Sequence, residues 1–368
     1  MSTVHETTLE IDLGALTHNY KYLSSKLPKG VKIMGVVKAF GYGSESAEIA
    51  KKLSELGVGY FAVAYTKEGV ALRNAGITEP ILVLHPQSVN FEEIIESCLE
   101  PSIYSEFVLK EFIKTAEKLS LKNYPIHLKL NTGLNRLGFI APELNTVLDY
   151  LKKTEAVKVR SIFSHLAASE DWKEREFTLQ QLGKFRKMAF TLFENLTYKP
   201  FLHISNTSAV INYPEAAFDM VRSGIGLYGF GNDDKINDEL KPIGTLKTII
   251  SQIHEIAPGE SVGYNRAFTA KEETITATLP IGHADGINRQ YGNGRAGVFI
   301  KDKYAPIIGN VCMDMLMIDI TGIDCKEGDE VIIFGGPQHA TVFAAKGNTI
   351  SYELITGISQ RVKRVIIE

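Results

Sequence analysis

The sequence predicts an N-terminal (β/α)8 TIM barrel followed by a C-terminal all-β domain. Three observations predict it. Eight short apolar runs lie between Val31 and Leu227, with helical segments between most of them. Beyond Glu239 the pattern changes to short β-branched runs separated by Gly and Pro. Lys38 closes the first apolar run, the position at which α/β folds carry their chemistry. Alternation of strand and helix implies a parallel sheet, and eight such units in roughly 220 residues match the size of a barrel. No GxGxxG turn follows the first run, which disfavours an open doubly wound sheet.

The elements follow in order. Leu9 and Ile11 alternate with charged residues and predict a short strand outside the main repeat. Asp12 is placed to cap a helix carrying Leu16, Tyr20, Leu23 and Leu27. Ile33, Met34, Val36 and Val37 make a buried strand rich in branched residues. Ala39-Phe40-Gly41-Tyr42-Gly43 is a glycine-punctuated turn, and Ser44 is placed to cap the helix of Ile49, Leu53 and Leu56. The remaining apolar runs are Gly59–Ala64, Pro80–Leu84, Pro101–Tyr104, Pro125–Leu130, Val157–His165, Pro200–Ser205 and Met220–Leu227. Helices are expected over Thr66–Asn74, near Phe91–Cys98, and over Glu106–Leu119, Pro142–Lys152 and Phe177–Phe193. Asn232–Glu239 is polar and charged and reads as a linker. Thr245–Ile256, Thr274–Leu279, Ala296–Ile300, Ala305–Val311, Leu316–Ile320 and Glu330–Phe334 are the expected strands of the second domain. The division is therefore a barrel over residues 10–238 and a β domain over 239–368, joined by residues 1–9.

Composition narrows the function. A net charge of −3 gives no electrostatic footprint for nucleic acid or an anionic membrane. The three cysteines have neither metal-ligand nor paired spacing, and so sparse and odd a set fits a reducing compartment. The N-terminus lacks the basic and apolar regions of a leader, and no run is long enough to cross a bilayer. The expectation is a cytoplasmic enzyme with a small-molecule substrate, no nucleic-acid or membrane partner and no metal, since no His, Asp or Cys cluster has metal spacing.

Lysine is rarely buried without a reason. Desolvation lowers its pKa, and a neutral amine can react with a carbonyl. In a barrel the strand ends converge on one mouth. The polar residues there are Lys38, His165, Asn206-Thr207 and Arg222, with Arg136 on the loop after the fifth strand.

VVKAFGYG, around Lys38, resembles the pyridoxal-phosphate lysine motif of the alanine racemase family. NTGLNRLGF, FSHLAAS, HISNTSA, MVRSGIGLYG, SVGYNRAF, IGHADG, VCMDM and ISYELITGIS follow in the order that family shows. The resemblance implies pyridoxal 5'-phosphate held by Lys38, and racemisation of alanine that supplies D-alanine for peptidoglycan. Removing a proton from one face and delivering it to the other calls for two groups, and the family's pair corresponds to Lys38 and Tyr264. These meet across a head-to-tail homodimer, so the implied partner is a second copy. Arg222 corresponds to the arginine that donates to the pyridine nitrogen; a protonated guanidinium cannot readily give that nitrogen a proton. Gly224 and Ile225 would offer backbone N–H groups to the cofactor phosphate, with hydroxyl donors from Tyr42, Thr207 and Tyr352. His165 corresponds to the histidine near the ring. Arg136 and the N–H of Met313 would hold the substrate carboxylate, a guanidinium matching a planar carboxylate. Lys129 stands where many members carry a carbamylated lysine. Two positions depart from the family: His283 replaces a common entryway tyrosine, and Asn310 replaces an arginine. Within the resemblance, a serine, lysine or broad-specificity racemase stays open. A basic amino-acid decarboxylase of the same plan would need an acidic partner where this chain has Arg222. A non-catalytic carrier of the cofactor would lack the β domain.

Overall fold

The computed structural model describes residues 6–231 and 234–368. Its strands in chain order are β1 Thr7–Asp12, β2 Lys32–Val36, β3 Phe61–Val63, β4 Ile81–Val83, β5 Glu100–Ile103, β6 Tyr124–Lys129, β7 Val157–Phe163, β8 Phe201–His203 and β9 Met220–Ser223, then β10 Gly244–Ile249, β11 Gln252–Ile256, β12 Ser261–Val262, β13 Phe268–Thr269, β14 Thr274–Leu279, β15 Gly297–Ile300, β16 Lys303–Ile308, β17 Leu316–Asp319, β18 Glu330–Phe334 and β19 Lys363–Ile367. Two compact units result. One comprises Thr17–Gly41 and Ser46–Leu240; the other comprises the described residues up to Leu16, Tyr42–Glu45 and Lys241–Glu368.

The first unit is the barrel. Its sheet has 8 strands in the order β8-β7-β6-β5-β4-β3-β2-β9, all paired in parallel. The ring closes where the Asp219 N–H donates to the Leu202 carbonyl (3.1 Å) and the Arg222 N–H to that of Ser205 (3.0 Å). Each expected apolar run supplies one strand. Runs such as those of β3 and β4 are apolar throughout because both faces of a parallel strand are covered: Phe61, Ala62, Val63, Ile81, Leu82 and Val83 are all fully buried. The covering helices include Thr66–Asn74, Glu106–Lys118, Leu144–Lys152 and Arg175–Asn195, close to the expected spans. Asn232, at the start of the expected linker, and Asp233 lie outside the described residues; a short helix, Asp234–Asn237, follows.

The turn after β2 differs from a simple glycine turn. Ala39 (φ 53°, ψ 52°), Phe40 (φ 54°, ψ 44°) and Gly41 (φ 62°, ψ 49°) form one left-handed helical turn, closed by the Gly41 N–H on the Val37 carbonyl (3.1 Å). Left-handed geometry costs an L-residue roughly 1–2 kcal/mol. The next helix begins at Ser46, one residue later than a Ser44 cap would place it. The reason is tertiary: Tyr42–Glu45 packs as part of the β unit. There Arg364 Nη2 donates to the Gly43 carbonyl at 2.8 Å, and a Cβ at Gly43 (φ 83°) would run into the Ile355 carbonyl.

The β unit is built on a 9-stranded sheet in the order β11-β14-β17-β16-β15-β18-β10-β1-β19. The short N-terminal strand β1 pairs antiparallel with β10 and parallel with β19. Asp12 then caps the helix Leu13–Ser25 by accepting the Ala15 N–H (2.8 Å). The expected Thr245–Ile256 strand divides at Ile250-Ser251, whose N–H groups turn to Asp329 and Thr278, so β10 pairs with β18 and β11 with β14. β19 and the small β12–β13 hairpin were not expected from the sequence, and the helical periodicity confined to the end of the domain takes the form of two short helices, Ala340–Lys346 and Ser351–Thr356.

Candidate active site

The barrel unit gathers Lys38, Lys129, Arg136, His165, Thr207 and Arg222 at the C-terminal ends of β2, β6, β7, β8 and β9 or on the loops that follow them. The strands fix these positions, because each residue ends, or lies just beyond, a run whose neighbours are locked in the core. The cations sense one another. Burial, Arg136 and Arg222 lower the Lys38 amine, and Glu68 opposes them. Burial, Arg136, Arg222 and Lys38 bring Lys129 down to about 8. Lys129 lies over the Phe163 ring at 5.7 Å.

Glu68 carries no sequence signal, yet it organises the approach to Lys38. Its Oε1 accepts the Ala39 N–H (2.6 Å), and its Oε2 accepts those of Ala64 (2.6 Å) and Tyr65 (3.1 Å). One carboxylate thus ties the left-handed turn to the end of β3.

Arg222 is buried, and its terminal nitrogens are committed. Nη1 donates to His203 Nδ1 (2.7 Å) and the His203 carbonyl (3.3 Å). Nη2 donates to the carbonyls of Ser164 (2.7 Å) and Ile204 (3.2 Å) and to His165 Nδ1 (3.1 Å). Among the described residues its Nε–H donates to nothing. Burial and Arg136 lower the guanidinium to about 9, so it stays a cation at neutral pH. Burial and Arg222 hold both His165 and His203 well below the usual imidazole range, so both are neutral. The site therefore presents one open N–H on a group that keeps its proton.

An anion cradle lies beside it. The Gly224 and Ile225 N–H groups are buried just past β9, and neither has an acceptor among the described residues. The Thr207 hydroxyl lies 3.2 Å from that of Ser223 and accepts the Gly226 N–H (3.3 Å). Thr207 starts a short helix capped by Asn206, whose side chain accepts the Ala209 N–H. Unsatisfied N–H groups with a hydroxyl are the donor set a phosphate takes. The open Arg222 donor suits a ring nitrogen that only accepts. The residues present fit a phosphorylated pyridine.

Arg136 stands on the loop after β6. Asn131 Oδ1 accepts the Gly133 and Asn135 N–H groups (each 3.1 Å), and the loop returns through the Phe139 N–H to the Lys129 carbonyl (2.9 Å). The Arg136 guanidinium is exposed.

The β unit holds the other expected residues. Tyr42 is 7% exposed, its ring centroid 6.3 Å from that of Tyr352. Burial and Tyr352 raise its phenol, so it is a neutral hydroxyl donor. Tyr264 opens a single turn between β12 and β13 and is 74% exposed. The Asn310 side chain donates to the Tyr264 carbonyl (3.1 Å) and accepts from Asn293 (3.2 Å), so this departure from the family supports the tyrosine's backbone. Met313 is exposed, and its carbonyl accepts the Ala284 N–H (3.0 Å). Arg361 binds both Asp285 (2.6 Å) and Asp314 (2.8 Å), tying this loop to the one after Gly282. His283 lines a cavity of about 520 Å³ with Asn288, Arg289, Asn348 and Glu353.

Comparison with known proteins places these residues in context. The family description "Alanine racemase, N-terminal domain" matches residues 11–231, and "Alanine racemase, C-terminal domain" matches residues 243–366. The chain is 36% identical over 376 residues to "Alanine racemase 2" of Caldanaerobacter subterraneus subsp. tengcongensis, covering 99% of this chain and 95% of that protein. It superposes on an alanine racemase of Clostridium difficile 630 with a TM-score of 0.94 at 34% identity, covering 100% of this chain and 97% of the other. A Bartonella henselae alanine racemase with covalently bound pyridoxal phosphate gives a TM-score of 0.89 at 28% identity, covering 99% of this chain and 100% of that one.

Proposed function

The chain belongs to the alanine racemase family, and from that premise we propose how its residues divide the work. The protein is an amino-acid racemase, an isomerase that interconverts L- and D-alanine. Its cofactor in this reading is pyridoxal 5'-phosphate. When bound, that group supplies the electron sink that makes the substrate Cα–H acidic.

Lys38 holds the cofactor covalently through Nζ. Its amine, lowered by burial and by its arginine neighbours, would serve as the base on one face of Cα. Thr207, Gly224 and Ile225, with the hydroxyls of Tyr42 and Tyr352, bind the phosphate. Arg222 gives its open Nε–H to the ring nitrogen, and its own charge opposes protonation of that nitrogen. His165, neutral, packs by the ring. Arg136 and the Met313 N–H grip the substrate carboxylate. Lys129 takes up carbon dioxide and, as a carbamate, orients Arg136. The partner subunit's Tyr264 moves the proton on the opposite face, so the working form is a homodimer. Its product would feed peptidoglycan synthesis in the cytoplasm. Among the described residues no helix is long and apolar enough to cross a membrane.

The observation that carries this reading is the buried Arg222, whose terminal nitrogens make five hydrogen bonds to protein acceptors and whose Nε–H is open. Tyr264→Phe tests the division of labour. Loss of Cα–H exchange with solvent should be far greater starting from L-alanine than from D-alanine. Equal losses from both would overturn the assignment of Tyr264 to one face.

A further inference from the structure

A relay of hydrogen bonds leaves Arg222 on the side away from its open donor. His203 Nε2 lies 2.8 Å from Ser161 Oγ, Ser161 Oγ lies 2.6 Å from His127 Nδ1, and His127 Nε2 lies 2.7 Å from Glu100 Oε2. His203, Ser161 and His127 have no exposed surface, and Glu100 is 8% exposed. Tyr60 donates to the same Glu100 oxygen. The path descends from the C-terminal end of β8 through β7 and β6 to the first residue of β5, so it crosses the barrel interior from end to end.

Its direction is fixed. A guanidinium has donors only, so His203 Nδ1 accepts and its proton sits on Nε2. That N–H donates to Ser161, whose hydroxyl proton goes to His127 Nδ1. The remaining His127 proton is then on Nε2, aimed at a carboxylate that can only accept. Every link points the same way, with a cation at one end and an anion at the other. Among the described residues of the barrel unit, Glu100 is the one buried carboxylate.

We propose that Glu100 is a positioning residue for Arg222, acting through His127, Ser161 and His203 to hold the guanidinium so that its Nε–H faces the site. The inference rests on the reading of Arg222 as donor to the cofactor ring. Without Glu100, either the buried His127 N–H must turn to the Tyr60 hydroxyl, 3.2 Å away and itself deprived of its acceptor, or the relay reverses. Reversal would place a His203 Nδ1–H against Arg222 Nη1 across 2.7 Å, two donors facing each other. Both outcomes are unfavourable in a dry interior, and the second turns the guanidinium.

Two measurements test this. The first is 15N NMR of the histidine rings in cofactor-free protein. His203 and His127 should both carry their proton on Nε2 in the parent. Glu100→Leu should lose that single form at His127, and Glu100→Gln, which keeps an accepting oxygen, should retain it. The second is a fluorescence titration with pyridoxal phosphate, in which Glu100→Leu should weaken binding roughly 3- to 30-fold, with Glu100→Gln near the parent. Should Glu100→Leu not fold, Ser161→Ala interrupts the relay with both ends in place, and the same weakening is expected. A parent His203 protonated on Nδ1 would overturn the relay whatever Arg222 does. Unchanged affinity in Glu100→Leu or Ser161→Ala, beside a large loss in Arg222→Gln, would overturn the role of Glu100 alone. Unchanged affinity in Arg222→Gln would instead overturn the reading of Arg222, and with it this inference.

Discussion

Replacing Lys129 by methionine should stabilise the protein at neutral pH when carbonate is absent. Lys129 is 6% exposed and has Arg136, Arg222 and Lys38 as its charged neighbours, all cations. Its amine falls from 10.5 to about 8 in the folded chain. At about 1.4 kcal/mol per pH unit, that fall is roughly 3 kcal/mol of free energy set against the charged form. The sign follows from linkage: the folded state binds fewer protons than the unfolded one, so stability rises with pH across the window between the two values. The cost of the ammonium is full below about pH 8, shrinks above it and is gone near pH 10.5. Lys129→Met removes the charge and nearly conserves the volume. Denaturation in carbonate-free buffer should show the variant ahead by up to about 3 kcal/mol at neutral pH and level with the parent near pH 10. Bicarbonate should close the gap at neutral pH, because a carbamate places an anion among three cations, and the parent's intact mass should then rise by one carbon dioxide. A variant no more stable than the parent at neutral pH, or one whose advantage ignores pH, would refute this reasoning.

Two further outcomes follow from the geometry. Glu68→Gln should lower the Lys38 amine further, because Glu68 is the anion that raises it. The pH profile of Lys38 acylation in cofactor-free protein reads this, and an upward move contradicts it. The same change leaves an amide nitrogen facing a backbone N–H, at about 1.5–3 kcal/mol for the lost charge-assisted bond, visible as a lower melting temperature. Gly138→Ala should cost roughly 1–3 kcal/mol, since φ there is +123° and a Cβ would sit 2.6 Å from the Leu130 carbonyl carbon. The displaced loop carries Arg136, so the KM for alanine should rise more than kcat falls; the reverse pattern would detach Arg136 from the carboxylate.

The barrel was legible because parallel strands buried on both faces leave continuous apolar runs, and all eight were readable between Val31 and Leu227. Lys38 and His165 were legible because each ends such a run, and Arg222 because it is a charge set inside one. The β unit was harder. Its β19, Lys363–Ile367, is charged at its start and exposed at its end, and β12 and β13 have 2 residues each, too short for any period. Glu68, His203 and Glu100 did not stand out for another reason. Their importance lies in what they touch across the barrel, and one acidic residue in a helix or one histidine in a strand gives no periodic signal. The left-handed turn was half-legible: Gly41 and Gly43 announced a turn, but the conformations of Ala39 and Phe40 depend on Glu68, distant in sequence.

That turn has a stereochemical consequence. At φ 53° and ψ 52°, the backbone of Ala39 sits in the mirror image of ordinary helical geometry, where a D-residue would rest without penalty. Glycine would shed the strain as well, but would surrender part of the gain, about 0.5–1 kcal/mol, to the greater freedom of its unfolded chain. A semisynthetic chain bearing D-alanine at this point would surrender nothing. The backbone next to Lys38 is thus shaped for one of the two alanine enantiomers that the enzyme interconverts.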